Sequence, residues 1–384
     1  MNGEFPWGAA PELATFDVDG HALRLLRDGV EAFPAMLRAI VEARVEVLLE
    51  MYWVGDDAVG ARFLRALVDK AHEGVLVRVV VDAVGSLGLG DEFWAPLERA
   101  GGLVNVYHPL SPLARSFQLR AVELRNHRKL LVVDGEVAFT GGINLALPWL
   151  PREHGGQGFR DEAVEVRGPA VRQLRGLFYK TWQHLTRAKP PADVHPLATA
   201  RKGRVWVLAN QRTRRGRREI LREYLFRVQR AQRTIDLANA YFVPEGAFRH
   251  ALYGAARRGV RVRVLVPFRG DVAIVQMAQE SLYQGFLDAG IEVYLLRGSV
   301  LHSKSAIVDG HFVTLGSYNF DERSRSKNLE LNLAVEDAPF ASHAAAMFDA
   351  YLASSERLTP DRWAARGSLR RGVELVSFTL RRFL

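Results

Sequence analysis

One short pattern occurs twice in this 384-residue chain, 175 residues apart, and it constrains the fold more than any other feature. NHRKLLVVDGEVAFTGGIN (126–144) and LHSKSAIVDGHFVTLGSYN (301–319) both read His-x-Lys-x4-Asp, then six residues, then Gly-Gly/Ser-x-Asn. A strand shows alternate residues to one face, so His127 and Lys129 share a face, as do His302 and Lys304. The aspartate lies five beyond the lysine, points the other way, and ends the strand at Asp-Gly. Asp134 and Asp309 belong to the candidate catalytic motif, yet they are expected to bond turn backbone and not to carry protons. A returning strand, VAFTGG or FVTLGS, brings Asn144 and Asn319 back towards the His-Lys end.

The repeat extends well beyond the motif. VEVLLEMYWVGDD (45–57) and TIDLANAYFVPEG (234–246) each run from an apolar strand into an acidic turn, with Tyr52 and Tyr241 in matching places. A helical spacing follows each: Phe63, Leu67 and Ala71 up to Gly74, then Phe248, Leu252 and Ala255 up to Gly259. Glycine there supplies a left-handed C-cap. Continuous β-branched runs come next, VLVRVVVDAVG (75–85) and VRVRVLVPFRG (260–270), as expected of strands buried on both faces. LERAGGLVNVYH (97–108) and FLDAGIEVYLL (286–296) add another helix and strand to each half. The reading is an α/β protein of two pseudosymmetric lobes, each a mostly parallel mixed sheet flanked by helices, with one active site at the lobe interface.

Composition sharpens the chemistry. Lysine and arginine number 52 against 43 acids, a net charge of +9, which favours nucleic acid, anionic lipid or phosphorylated substrates. Only seven of the 52 are lysines, yet Lys129 and Lys304 hold equivalent places. Absence of cysteine excludes disulfides and thiolate catalysis. No run of ~18 apolar residues could span a bilayer, and the N-terminus lacks a secretory pattern. A soluble or peripheral, cytoplasmic protein is expected. Two imidazoles, two ammonium groups and two amides converging on one pocket suit phosphoryl displacement. One histidine attacks phosphorus and the other protonates the leaving oxygen, while lysines and asparagines hold the negative charge. Neither metal nor other cofactor is expected, because the motifs lack acids at metal-ligand spacing.

At these residues the chain resembles the phospholipase D superfamily, whose signature is the duplicated His-x-Lys-x4-Asp element. The likeness runs from about residue 20 to 366. Flanking segments, including FRDEAVEVRGPAV (159–171) and GSYNFDERSRSKNLELNL (316–333), are most similar to bacterial cardiolipin synthases of the short form without N-terminal membrane helices. The resemblance implies a phosphatidyl transfer between phosphatidylglycerol molecules, with phospholipase D hydrolysis and a phosphodiesterase or nuclease as rivals. It implies His127 as nucleophile and His302 as general acid, then base. Asp161 and Glu330, the acids downstream of each motif, would each orient the histidine of that motif. Lys129, Lys304, Asn144, Asn319 and Ser317 would cradle the phosphate oxygens.

The chain divides into a loose terminus (1–18), a first lobe (19–186), a linker (187–203), a second lobe (204–366) and a basic amphipathic helix (367–384). The helix spaces Leu369, Val373, Val376, Leu380 and Phe383 along one face, with arginines at both ends. It suits an anionic membrane interface or packing on the body. RTRRGRR (212–218) suits a lipid phosphate or a solvated linker. The first half has a longer connection, 108–125 against 295–301, which reads as a membrane-facing lip or a packed surface loop. Expected partners are an anionic phospholipid and the cytoplasmic membrane surface, with no nucleic acid and no obligate protein partner. Stacking aromatics beside the basic runs, which single-stranded nucleic acid needs, are absent.

Overall fold

The computed structural model describes residues 13–110, 123–194, 203–211 and 218–365. Each half forms one eight-stranded mixed sheet. The first half supplies β1 (Phe16–Val18), β2 (His21–Arg27), β3 (Glu46–Met51), β4 (Leu76–Asp82), β5 (Leu103–Tyr107), β6 (Lys129–Val133), β7 (Val137–Gly141) and β8 (Glu162–Arg167). Their spatial order is β1-β2-β8-β7-β6-β3-β4-β5. The second half supplies β9 (Val205–Asn210), β10 (Thr234–Asn239), β11 (Arg261–Pro267), β12 (Glu292–Leu296), β13 (Lys304–Val308), β14 (Phe312–Gly316), β15 (Glu330–Glu336) and β16 (Ser355–Arg357). Their order, β16-β12-β11-β10-β13-β14-β15-β9, is the same path traced backwards. The halves differ at their edges, where β1 extends the first sheet beyond β2 and β16 extends the second beyond β12.

Among the sheet strands, parallel pairing is confined to β3, β4 and β5 and to β10, β11 and β12. The other strand pairs run antiparallel. The two-lobed α/β architecture stands, while the expectation of mostly parallel sheets is corrected. Alternating strands and helices do build the parallel core, through crossovers such as the helices Ala58–His72 and Gly246–Arg257. The motif strands instead turn back on themselves, and a hairpin is antiparallel by necessity. Asp134 and Gly135 have φ of 53° and 66°, and Asp309 and Gly310 have 55° and 65°. Two successive residues at positive φ are what a tight I′ hairpin turn requires of Asp-Gly.

Register also corrects one pairing. Met51 lies opposite Lys129 and Asn239 opposite Lys304, so Trp53, not Tyr52, is the counterpart of Tyr241. A one-residue slip along a strand turns a side chain to the other face. Tyr52 and Tyr241 therefore do not occupy matching places.

Three cores hold the molecule. In the first half, Phe33, Ile40, Phe63 and Leu67 pack on Val47, Leu49, Val79 and Leu131. In the second, Tyr224, Phe248 and Leu252 pack on Ile235, Leu237 and Val264. The third is shared: Leu130, Val132 and Val164 meet Leu315, Leu331 and Leu333, with Leu177 and Phe348 from one helix of each half. Strands buried on both sides explain the continuous apolar runs, and the shared core makes the lobes one packed body. The loose terminus is corrected at its end. Phe16–Val18 pairs with β2, and Phe16 lies edge-on to Phe340 at 5.5 Å. The 367–384 helix, residues 212–217 of the arginine run, 111–122 of the lip and 195–202 of the linker lie outside the described residues.

Candidate active site

Where the lobes meet, two short parallel bridges cross between them, pairing Asn126 with Leu329 and Arg160 with Leu301. His127 N donates to Leu329 O at 3.0 Å, and His302 N donates to Arg160 O at 2.7 Å. Each bridge sets a motif histidine beside the acid of the other half. His127 Nδ1 lies 3.1 Å from Glu330 Oε2, and His302 Nδ1 lies 2.7 Å from Asp161 Oδ2. The acids are those expected, but the pairing is crossed. Asp161 serves His302 and Glu330 serves His127, because the bridges run between lobes. Neither half holds a complete site.

The lysines repeat one geometry. Lys129 Nζ donates to His127 O at 2.7 Å, and Lys304 Nζ donates to His302 O. Lys129 also sits 4.9 Å above the Tyr52 ring, whose edge meets His127 at 4.7 Å. Burial, then the charge of Lys304, hold the Lys129 ammonium well below its usual 10.5, and burial lowers Lys304 as well. Burial and the lysine of its own motif depress each histidine, His302 the more. Lys129 acts on His302 and Lys304 on His127, so the four groups share one field. Two lysines buried this close to one another form a receptor for an anion.

The carboxylates are held differently. Burial pushes Asp161 up to about 6, against the pull of Lys304 and a hydrogen bond from Trp149 Nε1 at 2.9 Å. Glu330 is equally buried, yet the positive charge of His127 and its hydrogen bond bring it below its usual value. Ser324 Oγ donates to Glu330 at 2.7 Å and Asn328 Nδ2 at 3.3 Å. Ser317, expected in the phosphate cradle, gives its hydroxyl to Glu330 and accepts from Leu331 N. Its counterpart in the first half is Gly142, where a Cβ would lie 2.1 Å from Asp161 Oδ1.

Asp134 and Asp309 stand apart from the histidines, about 16 Å of strand beyond the lysines. Asp134 accepts from the backbone N–H groups of Arg44, Val45 and Glu46, and Asp309 from those of Gln232, Arg233 and Thr234. Both carboxylates are taken up by backbone N–H groups at the far end of the strand from the histidines. Asn144 Oδ1 accepts from Trp53 N at 3.2 Å, whereas Asn319 Oδ1 is buried without a partner.

Several residues escaped sequence reasoning. Arg128, between His127 and Lys129, is buried and ties the halves together. Its guanidinium donates to Glu330 O, Asn210 O and Thr181 Oγ1 and lies 3.6 Å from Glu50. Its place between two motif residues, just before β6, was the available signal. Trp149 and Ser324 sit in connecting segments with no pattern to mark them. A cavity of about 600 Å³ opens at the lobe boundary, lined by Arg152, Phe268, Arg269, Arg297 and Val300. Among the described residues no group of three or more His, Asp or Glu could hold a metal.

The chain is similar to known proteins in sequence and in fold. A family model described as "Cardiolipin synthase, PLD-like domain" matches residues 36–149 and 224–352. Cardiolipin synthase B of Shigella flexneri is 35% identical over 326 residues, which cover 84% of this chain and 78% of that protein. A probable cardiolipin synthase of Bacillus subtilis is 30% identical over 348 residues, 90% of this chain and 69% of that one. The crystal structure of phosphatidylserine synthase from Haemophilus influenzae superposes with a TM-score of 0.69 over 97% of both chains at 14% identity, a likeness of fold.

Proposed function

Because this chain belongs to the phospholipase D-like cardiolipin synthase family, we propose that it moves a phosphatidyl group from one phosphatidylglycerol to a second, or to a similar lipid alcohol. The products are cardiolipin and glycerol. The observation that carries the reading is the convergence of His127 and His302, each on a carboxylate of the opposite lobe and each beside a lysine.

His127 Nε2 attacks phosphorus, the bond from phosphorus to the glycerol oxygen breaks, and His302 gives that oxygen its proton. The phosphatidyl group then rests on His127. His302 takes the proton of the acceptor hydroxyl as that oxygen bonds phosphorus and the P–N bond breaks. Glu330 holds His127 in the tautomer with its proton on Nδ1, leaving Nε2 free to attack. Both histidines are more than nine-tenths buried, at 8% and 7% exposure, so the lysine and asparagine groups act on the phosphate with little screening by water. The anionic substrate offsets the lysine charges and lets His302 carry its proton.

A net charge of +9 and the arginine-lined cavity support an anionic lipid. No helix among the described residues is long and apolar enough to cross a membrane. Peripheral attachment at the cytoplasmic face of the cell membrane, without nucleic acid or an obligate protein partner, completes the reading. The test is mass spectrometry of lipids after incubation with phosphatidylglycerol vesicles, beside a His302→Ala control. Cardiolipin with glycerol, absent from the control, is expected. Phosphatidic acid alone would make the enzyme a hydrolase, and no turnover would refute the reading.

A further inference from the structure

An exposed carboxylate is out of place at the rim of a site built to receive an anion. Asp271, in the loop after β11, is such a group. Its charge reaches His302 and Lys304 and favours their protonated forms. Both of its oxygens accept from the Tyr241 hydroxyl, at 2.8 Å each. Tyr241 lies two residues beyond Asn239, the register partner of Lys304, and Ala240 N donates to Ser303 O. The pair is thus fixed against the strand that carries His302 and Lys304. From the other lobe Tyr52, edge-on to His127, lies within electrostatic reach of Tyr241. Asp271 and Tyr241 therefore stand on the second-lobe side of the site, beside the strand that carries His302 and Lys304.

Among the described residues the first lobe offers nothing equivalent. Asp82, which ends β4, is buried, accepts from Asn126 N and lies 3.6 Å from Arg125, so its charge is enclosed. Asp271 is different because it is exposed to solvent, with its charge felt by His302 and Lys304. It repels the oxygens of a phosphodiester, and its favourable partner is a hydrogen-bond donor. Hydroxyl-to-carboxylate bonds are short and about twice as strong as neutral ones. The transfer step brings such donors to the site, since the free end of a glycerol headgroup carries two adjacent hydroxyls. One attacks, and the other has to be placed.

We propose that Asp271 and Tyr241 form the acceptor subsite, selecting a vicinal diol by accepting a hydrogen bond from the hydroxyl beside the attacking one. This rests on the phosphatidyl-transfer reading above. The attacking hydroxyl gives its proton to His302 as its oxygen bonds phosphorus and the P–N bond to His127 breaks. The neighbouring hydroxyl keeps its proton and donates to Asp271. Water lacks the second hydroxyl, so the subsite also favours transfer over hydrolysis.

The full chain is incubated with phosphatidylglycerol vesicles and equal concentrations of deuterated glycerol and 1-propanol. The readout is the ratio of labelled phosphatidylglycerol to phosphatidylpropanol. A slower first step cancels in that ratio, so it reports only acceptor choice. Loss of one hydrogen bond to a charged group should lower it by about tenfold in Asp271→Ala and by less in Tyr241→Phe and Asp271→Asn. The share of phosphatidic acid should rise in the same order. An Asp271→Ala ratio within about twofold of the unaltered protein overturns the subsite while leaving the transferase reading intact. An unaltered protein that transfers to no alcohol overturns both.

Discussion

The two histidine–carboxylate pairs stand on the same strands of the two lobes and use different chemistry. His127 rests on a glutamate fed by two serine hydroxyls and an asparagine amide, with Arg128 bonded to that glutamate's backbone oxygen. His302 rests on an aspartate, one methylene shorter, held by an indole N–H and the N–H of Glu162, with Gly142 leaving it room. Burial is complete for both acids, yet Asp161 rises to about 6 while Glu330 falls below its usual 4.5. A dependable anion behind His127 suits an imidazole that must stabilise positive charge once phosphorus is attached. A carboxyl that titrates near neutrality suits a histidine that passes a proton out and back. Duplication gave the site two similar halves, and different neighbours divided the labour between them.

The sharpest way to break this comparison is to remove each histidine in turn. His127→Ala should lose about 10⁴-fold or more in activity and form no covalent phosphatidyl-protein. His302→Ala should lose about 10²–10⁴-fold and still accumulate labelled protein in an acid quench with radiolabelled lipid. Label that survives in His127→Ala and vanishes in His302→Ala would reverse the roles.

Neutralising the acids tests whether the two supports differ. Glu330→Gln should cost about 10²-fold in kcat/KM, and Asp161→Asn less at pH 6 and below, where Asp161 is already largely protonated. Equal losses would erase the distinction. Gly142→Ala should be slower than the unaltered enzyme, since its Cβ must displace Asp161. Ser317→Ala, at the matching place, creates no clash and removes one donor to Glu330, about 1–3 kcal/mol.

A pH profile sharpens the comparison further. His127 attacks only when neutral, and burial followed by the charge of Lys129 lowers its pKa from 6.5. Activity should therefore persist below pH 6.5 and fall as pH drops through that lowered value. Lys129→Met removes a lowering influence, so the acid limb of kcat/KM should move to higher pH. A limb that stays or moves down would remove the argument. Smallest in activity are Asp134→Ala and Asp309→Ala. Each releases three backbone N–H groups at a turn, so thermal melting should show a loss of about 2–4 kcal/mol while surviving folded enzyme keeps near-normal turnover.

Much of this was legible in the sequence because repetition and strand periodicity are local. The spacing of His127, Lys129 and Asp134 fixes which side chains share a face whatever surrounds the strand, so the outward role of the two aspartates could be read directly. Gly74 and Gly259, at φ of 85° and 86°, likewise end their helices from local sterics alone. Pairing between strands is not local. Antiparallel dominance, the slip that separates Tyr52 from Tyr241, and the crossed service of Asp161 to His302 all depend on contacts between residues far apart in the chain. Ser317 shows the same limit, since its hydroxyl could face phosphate or Glu330 until β15 was placed beside it. The sequence by itself determined the residues, their duplication and the chemistry open to them. Only the tertiary structure decided which partner each one meets, because burial and hydrogen bonding are set by whatever the opposite lobe brings into reach.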